Sequence, residues 1–205
     1  MDQSEVRRLE GLWAGDFGNE YTERNRSIGD GRQSFWHRIL SQWAPGNVLE
    51  VGCNVGANLK WIASGLPGQQ VYGVDINEEA LQQLRMSLPL VNALWSPARR
   101  LPFRDGWFDL VFTMGVLIHQ PRAALPVVMA ELVRCSRRFV LCAEYYSAEL
   151  VEVPYRGQQG ALFKQDYGRM YLDLFPELVL REQGFLSRAE GWDDLTYWLF
   201  EITAR

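Results

Sequence analysis

The chain has 205 residues and a net charge of −4, and 47% of its residues are hydrophobic while 22% are charged. This composition excludes a disordered protein, and the length predicts a single domain, residues 1–205, with ample chain for a core. The acidic balance argues against a general nucleic-acid binder, and no apolar run reaches the roughly 18 residues of a membrane-spanning helix.

The first residues of the chain and its cysteines bear on its location. Met1–Glu5 is acidic and lacks the basic and then apolar order of a signal peptide. Cys53, Cys135 and Cys142 are odd in number and do not have the spacing of metal ligands. We therefore expect a reducing, cytoplasmic setting, with neither a structural disulfide nor a bound metal.

The predicted elements alternate along the chain. Residues 1–45 show no strand pattern and are expected to form a helical cap over a ligand crevice, before a core at 46–205. Strands are then predicted at about 47–51, 71–75, 91–95, 108–113 and 138–144, and helices at 56–65, 77–87 and 122–135. This alternation predicts a parallel sheet with helices on both faces. The pattern after Glu144 predicts a helix at about 165–176 and two closing strands at 178–186 and 195–203.

A glycine-bearing turn follows the first predicted strand. It reads Glu50-x-Gly52-x-Asn54-x-Gly56, and we name residues 50–56 the glycine loop. Glycine permits a sharp turn and close approach of a ligand, and asparagine tolerates a positive φ better than most residues. Its leading acid would repel a pyrophosphate but suits an amine-bearing cation. Asp75 ends the next strand, where a carboxylate can accept hydrogen bonds from both hydroxyls of a ribose.

The glycine loop resembles the Glu/Asp-x-Gly-x-Gly-x-Gly motif of class I S-adenosylmethionine-dependent methyltransferases, with Asn54 at the middle glycine. The segment Leu101–Asp109 also matches the Leu-Pro-Phe-x-(Asp/Glu)-x-x-Phe-Asp pattern of that family. The resemblance implies an α/β, Rossmann-like, seven-stranded and mostly parallel sheet whose last strand is antiparallel, and S-adenosylmethionine as cofactor. The chain departs from the family at Ser96-Pro97, where many relatives carry an acid that holds the adenine amino group.

The predicted cofactor contacts combine this resemblance with the chemistry of the cap. The sulfonium is a cation that an aromatic ring attracts, and an arginine can hold the methionine carboxylate. Gly115 would leave room for the methionine part. The expected cofactor-binding residues are Tyr21, Arg24, Asn25, Glu50, Gly52, Cys53, Asn54, Gly56, Asp75, Ile76, Leu101, Met114 and Gly115.

Two further motifs lie outside the general methyltransferase pattern. Residues 15–25 read Gly-x-Phe-Gly-x-Glu-Tyr-x-x-Arg-Asn, and Tyr155-Arg-Gly157 is followed by Leu162-Phe-Lys164. Over nearly the whole chain, these resemble methylases associated with pseudaminic acid biosynthesis. Arginines and tyrosines in short loops suit a small acidic, hydroxylated acceptor such as a sugar acid, a carboxylate or a phosphonate. The expected acceptor-binding residues are Arg26, Tyr145, Tyr146, Tyr155, Arg156 and Lys164.

The predicted reaction is methyl transfer to an oxygen or nitrogen of this acceptor by in-line displacement. An anionic acceptor needs no base, whereas a hydroxyl or ammonium needs one, for which His119, Glu144 and Tyr21 are the candidates. A purely structural His119 is the alternative. Two other functions stay open, a nicotinamide-dependent oxidoreductase on the same sheet and a cofactor-binding partner subunit that has lost catalysis.

Overall fold

The protein begins with helices that precede the sheet. The computed structural model describes residues 3–25 and 30–203, so Arg26 lies outside the described residues. The helices are α1 (Gln3–Ala14), α2 (Asp16–Arg24) and α3 (Gln33–Trp43). Across the described residues, no helix has the length and apolar character needed to span a membrane.

Strands and helices then alternate as far as residue 144. These elements are β1 (Val48–Val51), α4 (Leu59–Gly65), β2 (Val71–Asp75), α5 (Glu78–Ser87), β3 (Asn92–Trp95), β4 (Phe108–Met114), α6 (Leu125–Cys135) and β5 (Ser136–Glu144). The remaining elements are β6 (Val151–Glu152), β7 (Phe163–Lys164), α7 (Tyr167–Leu174), β8 (Leu178–Leu186) and β9 (Leu195–Ile202).

Seven strands form one sheet in the order β3-β2-β1-β4-β5-β9-β8. Neighbouring strands from β3 to β5 pair in parallel, and β9 runs antiparallel to both β5 and β8. The predicted seven-stranded, mostly parallel sheet with an antiparallel last strand is confirmed. The strand order reverses between β1 and β4, which places a ligand crevice at the carboxyl ends of these strands.

Helices cover both faces of the sheet, because its central strands are buried on both sides. The face under α6 and α7 packs around Val128, Met129, Leu132, Tyr167, Tyr171 and Phe200. The face under α3, α4 and α5 packs around Trp36, Ile39, Ile62, Leu81, Leu84 and Phe112. In β4 every residue from Phe108 to Thr113 is buried, which explains its continuous apolar pattern.

Two departures from the predicted elements have a clear physical reason. Helix α4 begins at Leu59 instead of residue 56 because Gly56 has a φ of +82°, which lies outside the helical region. Strands β6 and β7 form a separate two-stranded hairpin that the sequence does not predict. Each has two residues, too few for an alternating pattern to be recognised.

Candidate active site

Two adjoining cavities lie at the carboxyl ends of β1, β2 and β4, beneath α1 and α2. The first cavity extends past Asp75 and includes Leu9, Glu10, Trp13, Ile76, Ser96 and Ala98. The second extends past Glu50 and includes Arg32, Asn58, Tyr145, Tyr155, Arg156, Trp192 and Asp193. They share their middle wall and form one cleft, because both are lined by Tyr21, Gly52, Asn54, Met114, Gly115 and His119.

The glycine loop forms the floor where the cavities meet. Gly52 has a φ of +78°, and a Cβ there would lie 2.4 Å from Cγ2 of Val116. Only glycine therefore fits this turn without displacing its neighbour. Asn54 has a φ of +46°, as expected for an asparagine that replaces a glycine. Cys53 also lines the second cavity, and burial raises the pKa of its thiol far above the ordinary value.

Asp75 lies at the end of β2 in the wall of the first cavity. Its Oδ2 accepts a hydrogen bond from the backbone N–H of Asn54 at 2.8 Å, and its Oδ1 accepts one from that of Asn77 at 2.8 Å. Burial raises the pKa of this carboxyl. Since each carboxylate oxygen has a second lone pair, Asp75 can hold the loop and still accept hydrogen bonds from a vicinal diol.

Glu50 supplies an unpaired oxygen to the second cavity. Its Oε1 accepts a hydrogen bond from Nδ2 of Asn58 at 2.6 Å. Its Oε2 is buried and has no hydrogen-bond partner among the described residues. Burial raises the pKa of Glu50 to about 8. An orphaned carboxylate oxygen in a cavity wall fits a cationic donor such as an ammonium group.

Arg32 lies beside this carboxylate and was missed by the sequence prediction. Its Nη1 donates to Oδ1 of Asn58 at 3.0 Å, while its buried Nε finds no acceptor within the described ranges. Its guanidinium lies 4.8 Å from the ring centroid of Trp192, and burial lowers its pKa. Together with Glu50, it offers one acceptor and one donor at the same end of the cleft. This pair matches the ammonium and carboxylate of an α-amino acid, as found at one end of S-adenosylmethionine.

His119 lies in the middle wall with a defined tautomer. Its Nδ1 is 2.6 Å from the carbonyl oxygen of Ala161, and because a carbonyl only accepts, Nδ1 carries the proton. The ring packs against Trp13 and Tyr155, at centroid distances of 4.4 and 5.2 Å. Burial lowers the pKa of His119 to about 4. The imidazole is therefore neutral at physiological pH, and Nε2 is the nitrogen that can accept a hydrogen bond or proton.

The depressed pKa of His119 predicts a loss of stability in acid. Between pH 6.5 and 4 the unfolded state binds a proton that the folded state does not, so the free energy of unfolding decreases as the pH falls. This contribution is on the order of 3 kcal/mol. In His119→Asn, Nδ2 of the asparagine can replace Nδ1 as the donor to Ala161. The contribution of residue 119 to the decrease in the free energy of unfolding with falling pH should then disappear. Urea unfolding from pH 4.5 to 7 measures the difference, with the exposed His37→Asn as control.

Glu144 lies behind the cleft wall instead of in it. Its Oε1 accepts hydrogen bonds from Oγ1 of Thr113 and from the N–H of Leu117, both at 3.1 Å, and its Oε2 accepts one from the N–H of Ile118 at 3.2 Å. Burial raises its pKa to about 7. Glu144 lines neither cavity. Its position supports a role in holding the turn that leads into His119, and not the contact with an acceptor expected from the sequence.

The predicted cofactor contacts separate into two groups. Most of them line the cleft, namely Tyr21, Arg24, Asn25, Glu50, Gly52, Cys53, Asn54, Asp75, Ile76, Met114 and Gly115. Gly56 and Leu101 do not. A Cβ on Gly56 would lie 2.4 Å from Cδ1 of Leu84, so this glycine allows the loop to pack on α5. Leu101 is buried in the core beneath α6.

The predicted acceptor contacts also separate. Tyr145, Tyr155 and Arg156 line the second cavity. Tyr146 is 48% exposed and its ring lies 6.2 Å from that of Trp198, while Nζ of Lys164 lies 5.3 Å from the centroid of Tyr145. Neither of these two residues lines the cleft. Burial raises the pKa of Tyr145 to about 12 and that of Tyr21 further, so both hydroxyls are donors at neutral pH.

Arg156 is held in a strained backbone conformation at the edge of the second cavity. The N–H groups of Tyr155 and Gln158 donate to each other's carbonyl oxygens at 3.0 and 2.9 Å, which closes a tight turn. Arg156 has a φ of +49° and Gly157 one of +80°. A left-handed arginine is uncommon, and within the described part of the chain Arg156 forms no ion pair. Strain of this kind is typical of residues that a binding site requires.

The chain resembles known methyltransferases in sequence. Residues 48–138 match the family model described as a methyltransferase domain. A tRNA U34 carboxymethyltransferase of Syntrophotalea carbinolica is 36% identical over 115 residues, 52% of this chain and 35% of that protein. A malonyl-[acyl-carrier protein] O-methyltransferase of Legionella pneumophila is 36% identical over 97 residues, 44% of this chain and 32% of that protein. The chain thus spans about a third of the length of these relatives.

Solved structures show the same fold over nearly the whole chain. The 1,6-didemethyltoxoflavin-N1-methyltransferase of Burkholderia thailandensis, with bound S-adenosylhomocysteine, has a TM-score of 0.76 at 15% identity and covers 97% of this chain and 91% of its own. The magnesium protoporphyrin IX methyltransferase of Synechocystis PCC 6803, with bound S-adenosylmethionine, has a TM-score of 0.70 at 14% identity and covers 96% of each chain. Residues 48–138 therefore resemble a methyltransferase domain in sequence, and the chain has the fold of the class I S-adenosylmethionine-dependent methyltransferases.

Proposed function

We propose that the protein transfers a methyl group from S-adenosylmethionine to an oxygen or nitrogen of a small polar acceptor that carries an acidic group. The observation that carries this proposal is the pair of unpaired buried atoms beside the glycine loop, Oε2 of Glu50 and Nε of Arg32. These would hold the ammonium and carboxylate of the cofactor. Asp75 would hold the ribose, and the middle wall would then surround the sulfonium.

The residues of the cleft would do little covalent chemistry themselves. The cofactor supplies an electrophilic methyl group on a sulfonium. The walls of the cleft hold donor and acceptor in line, which can contribute a large part of the acceleration. The ring of Tyr21, which lines both cavities, would lie beside the sulfonium cation.

The second cavity favours an acidic acceptor. Arg156 is a cation without an ionic partner among the described residues, and the hydroxyls of Tyr145 and Tyr155 are donors at the same wall. With a pKa of about 4, His119 is a weak base at neutral pH. The acceptor atom that fits best is therefore already anionic, a carboxylate or phosphonate oxygen, and Nε2 of His119 would accept a hydrogen bond from a neighbouring hydroxyl.

We also propose membership of the methylases associated with pseudaminic acid biosynthesis, within one domain that has a cap at 1–45 and a core at 46–205. Support comes from the convergence of two motifs that lie far apart in the chain. Residues 15–25 contribute Tyr21, Arg24 and Asn25 to the second cavity, and residues 155–164 contribute Tyr155, Arg156 and Leu162. The same motifs also place Lys164 outside the cleft, so only part of each would contact ligands.

Calorimetric titration with S-adenosylmethionine, S-adenosylhomocysteine and NADH tests the cofactor. We expect micromolar binding of the first two only, and its loss in Asp75→Ala, because that change removes the ribose acceptor and the hydrogen bonds from the N–H groups of Asn54 and Asn77. Binding of NADH alone would establish the oxidoreductase alternative and overturn the proposal.

Methyl transfer to a panel of sugar acids, phosphonates and carboxylic acids then tests the acceptor. Arg156→Gln should raise KM for an acidic acceptor about tenfold and leave the affinity for S-adenosylhomocysteine unchanged. The exposed Arg122→Gln is the matched control. Tight cofactor binding without turnover on any acceptor would instead favour the inactive partner subunit.

A further inference from the structure

The first cavity lacks an acid at the place where the resemblance to class I enzymes would put one. Ser96 follows β3 there and is only 4% exposed. Its Oγ donates to the carbonyl oxygen of Arg100 at 2.9 Å, so its proton is already used within the loop. Pro97 has no backbone N–H. The loop after β3 therefore offers no carboxylate to a ligand in this cavity.

A carboxylate reaches this cavity from the cap instead. Glu10 of α1 lines it together with Ser96 and Ala98. Its Oε1 and Oε2 accept hydrogen bonds from Nε and Nη2 of Arg99, at 2.6 and 3.2 Å. An ionised carboxylate has about four acceptor positions, so this contact with Arg99 leaves Glu10 able to accept further hydrogen bonds.

The proposed cofactor position brings the adenine base to Glu10. With the amino acid part at Glu50 and Arg32 and the ribose at Asp75, the base must extend into the remaining end of the first cavity. Leu9, Ile76 and Ala98 line this cavity together with Glu10, and such apolar side chains suit an aromatic ring. The polar edge of adenine carries an exocyclic amino group that donates hydrogen bonds.

We propose that Glu10 accepts a hydrogen bond from this amino group, so that the cap helix α1 supplies the residue that reads the base. Arg99 positions the carboxylate, and the loop after β3 contributes a cation in place of the usual acid. The inference rests on the proposed cofactor. If the pair Glu10–Arg99 only attaches α1 to the core, changes at Glu10 and Arg99 should affect the binding of different bases equally.

The test compares S-adenosylhomocysteine with S-inosylhomocysteine, whose base has a 6-oxo group in place of the amino group and an N1–H in place of the unprotonated N1. The wild type should bind the adenosine form at least tenfold more tightly, because the oxo group cannot donate to a carboxylate. In Glu10→Gln this preference should fall below about threefold, since an amide can either accept from the amino group or donate to the oxo group. Calorimetry gives both affinities.

Two further variants separate base recognition from tethering. Arg99→Gln should weaken both ligands alike and keep the preference, and Glu5→Gln, on the same helix but outside the cavity, should change neither affinity. The inference is overturned if Glu10→Gln keeps the preference of the wild type, or weakens both ligands to the same extent as Arg99→Gln. If the wild type binds neither ligand, the proposed cofactor itself is wrong, and the inference fails with it.

Discussion

Replacement of Glu50 by glutamine should weaken the binding of S-adenosylhomocysteine by ten- to a hundredfold and, at the same time, stabilise the ligand-free protein at pH 8. The affinity falls because Oε2 of Glu50 would lose a charge-assisted hydrogen bond with the ammonium group of the ligand. The bond from Asn58 to Oε1 can be kept by the glutamine oxygen. The change therefore removes an ionisable group while preserving the shape of the cleft.

Stability should change in the opposite direction from affinity, with a defined pH dependence. Burial raises the pKa of Glu50 to about 8 in the folded protein, while an unfolded glutamate ionises near pH 4.3. Between these values the folded state keeps a proton that the unfolded state has released, so the wild type loses stability as the pH rises. Glu50→Gln lacks this loss and should gain about 2 kcal/mol at pH 8.

Calorimetry at pH 7.5 and urea unfolding at pH 5.5 and 8 measure the two effects. The exposed Glu149→Gln should alter neither. A Glu50→Gln protein that binds normally, or that is less stable than the wild type at pH 8, would show that this carboxylate has a structural role only.

Gly18→Ala should reduce the affinity for S-adenosylhomocysteine more than tenfold by opening the cap. A Cβ on Gly18 would lie 1.8 Å from the carbonyl oxygen of Trp13 and 2.8 Å from Nδ2 of Asn77. Helix α2 would have to move away from α1 and α5 to avoid this overlap. That movement breaks the 2.8 Å hydrogen bond from Nδ2 of Asn77 to Oδ1 of Asn19 in α2 and withdraws Tyr21 from the cleft.

Gly11→Ala provides the matched control within the same cap. A Cβ on Gly11 meets no described atom within 4 Å outside the backbone of its own helix. The substitution should leave the affinity unchanged and stabilise α1 by about 0.5–1 kcal/mol. Calorimetry and tryptic cleavage in the cap, with and without ligand, compare the two variants. If the two variants had equal affinity for the ligand and equal protection from trypsin, binding would not depend on the position of α2.

The sheet and one half of the cleft could be predicted from sequence because the residues that determine them lie close together along the chain. A strand, its turn and the acid at the end of the next strand lie within residues 47–75, and apolar runs identify buried parallel strands directly. Gly52, Asn54 and Asp75 follow from that pattern. Gly56 of the glycine loop and Leu101 of the segment Leu101–Asp109 also belong to recognised motifs, but both pack inward, which a motif alone does not reveal.

The other half of the cleft depends on tertiary packing. Arg32 and Glu50 both bond Asn58, and α3, which follows Arg32, is held on the sheet by Trp36, whose ring lies 4.5 Å from that of Phe112 in β4. No spacing in the sequence marks that contact. Tyr145 and Tyr146 are neighbours just past β5, where successive side chains in extended backbone point to opposite sides, so one lines the cleft and the other faces outward.

Asn54 shows how a departure from a family pattern can add a contact. Its Nδ2 donates to Oγ1 of the buried Thr22 in α2 at 3.2 Å, and its Oδ1 accepts from the N–H of Val55 at 2.7 Å. A glycine at this position could adopt the same φ but would have no side chain to reach α2. A search for the glycine pattern alone would count Asn54 as a mismatch, although this residue bonds the glycine loop to α2. Thr22 and Asn54 are therefore coupled, and a substitution at either position would remove the same contact between α2 and the glycine loop.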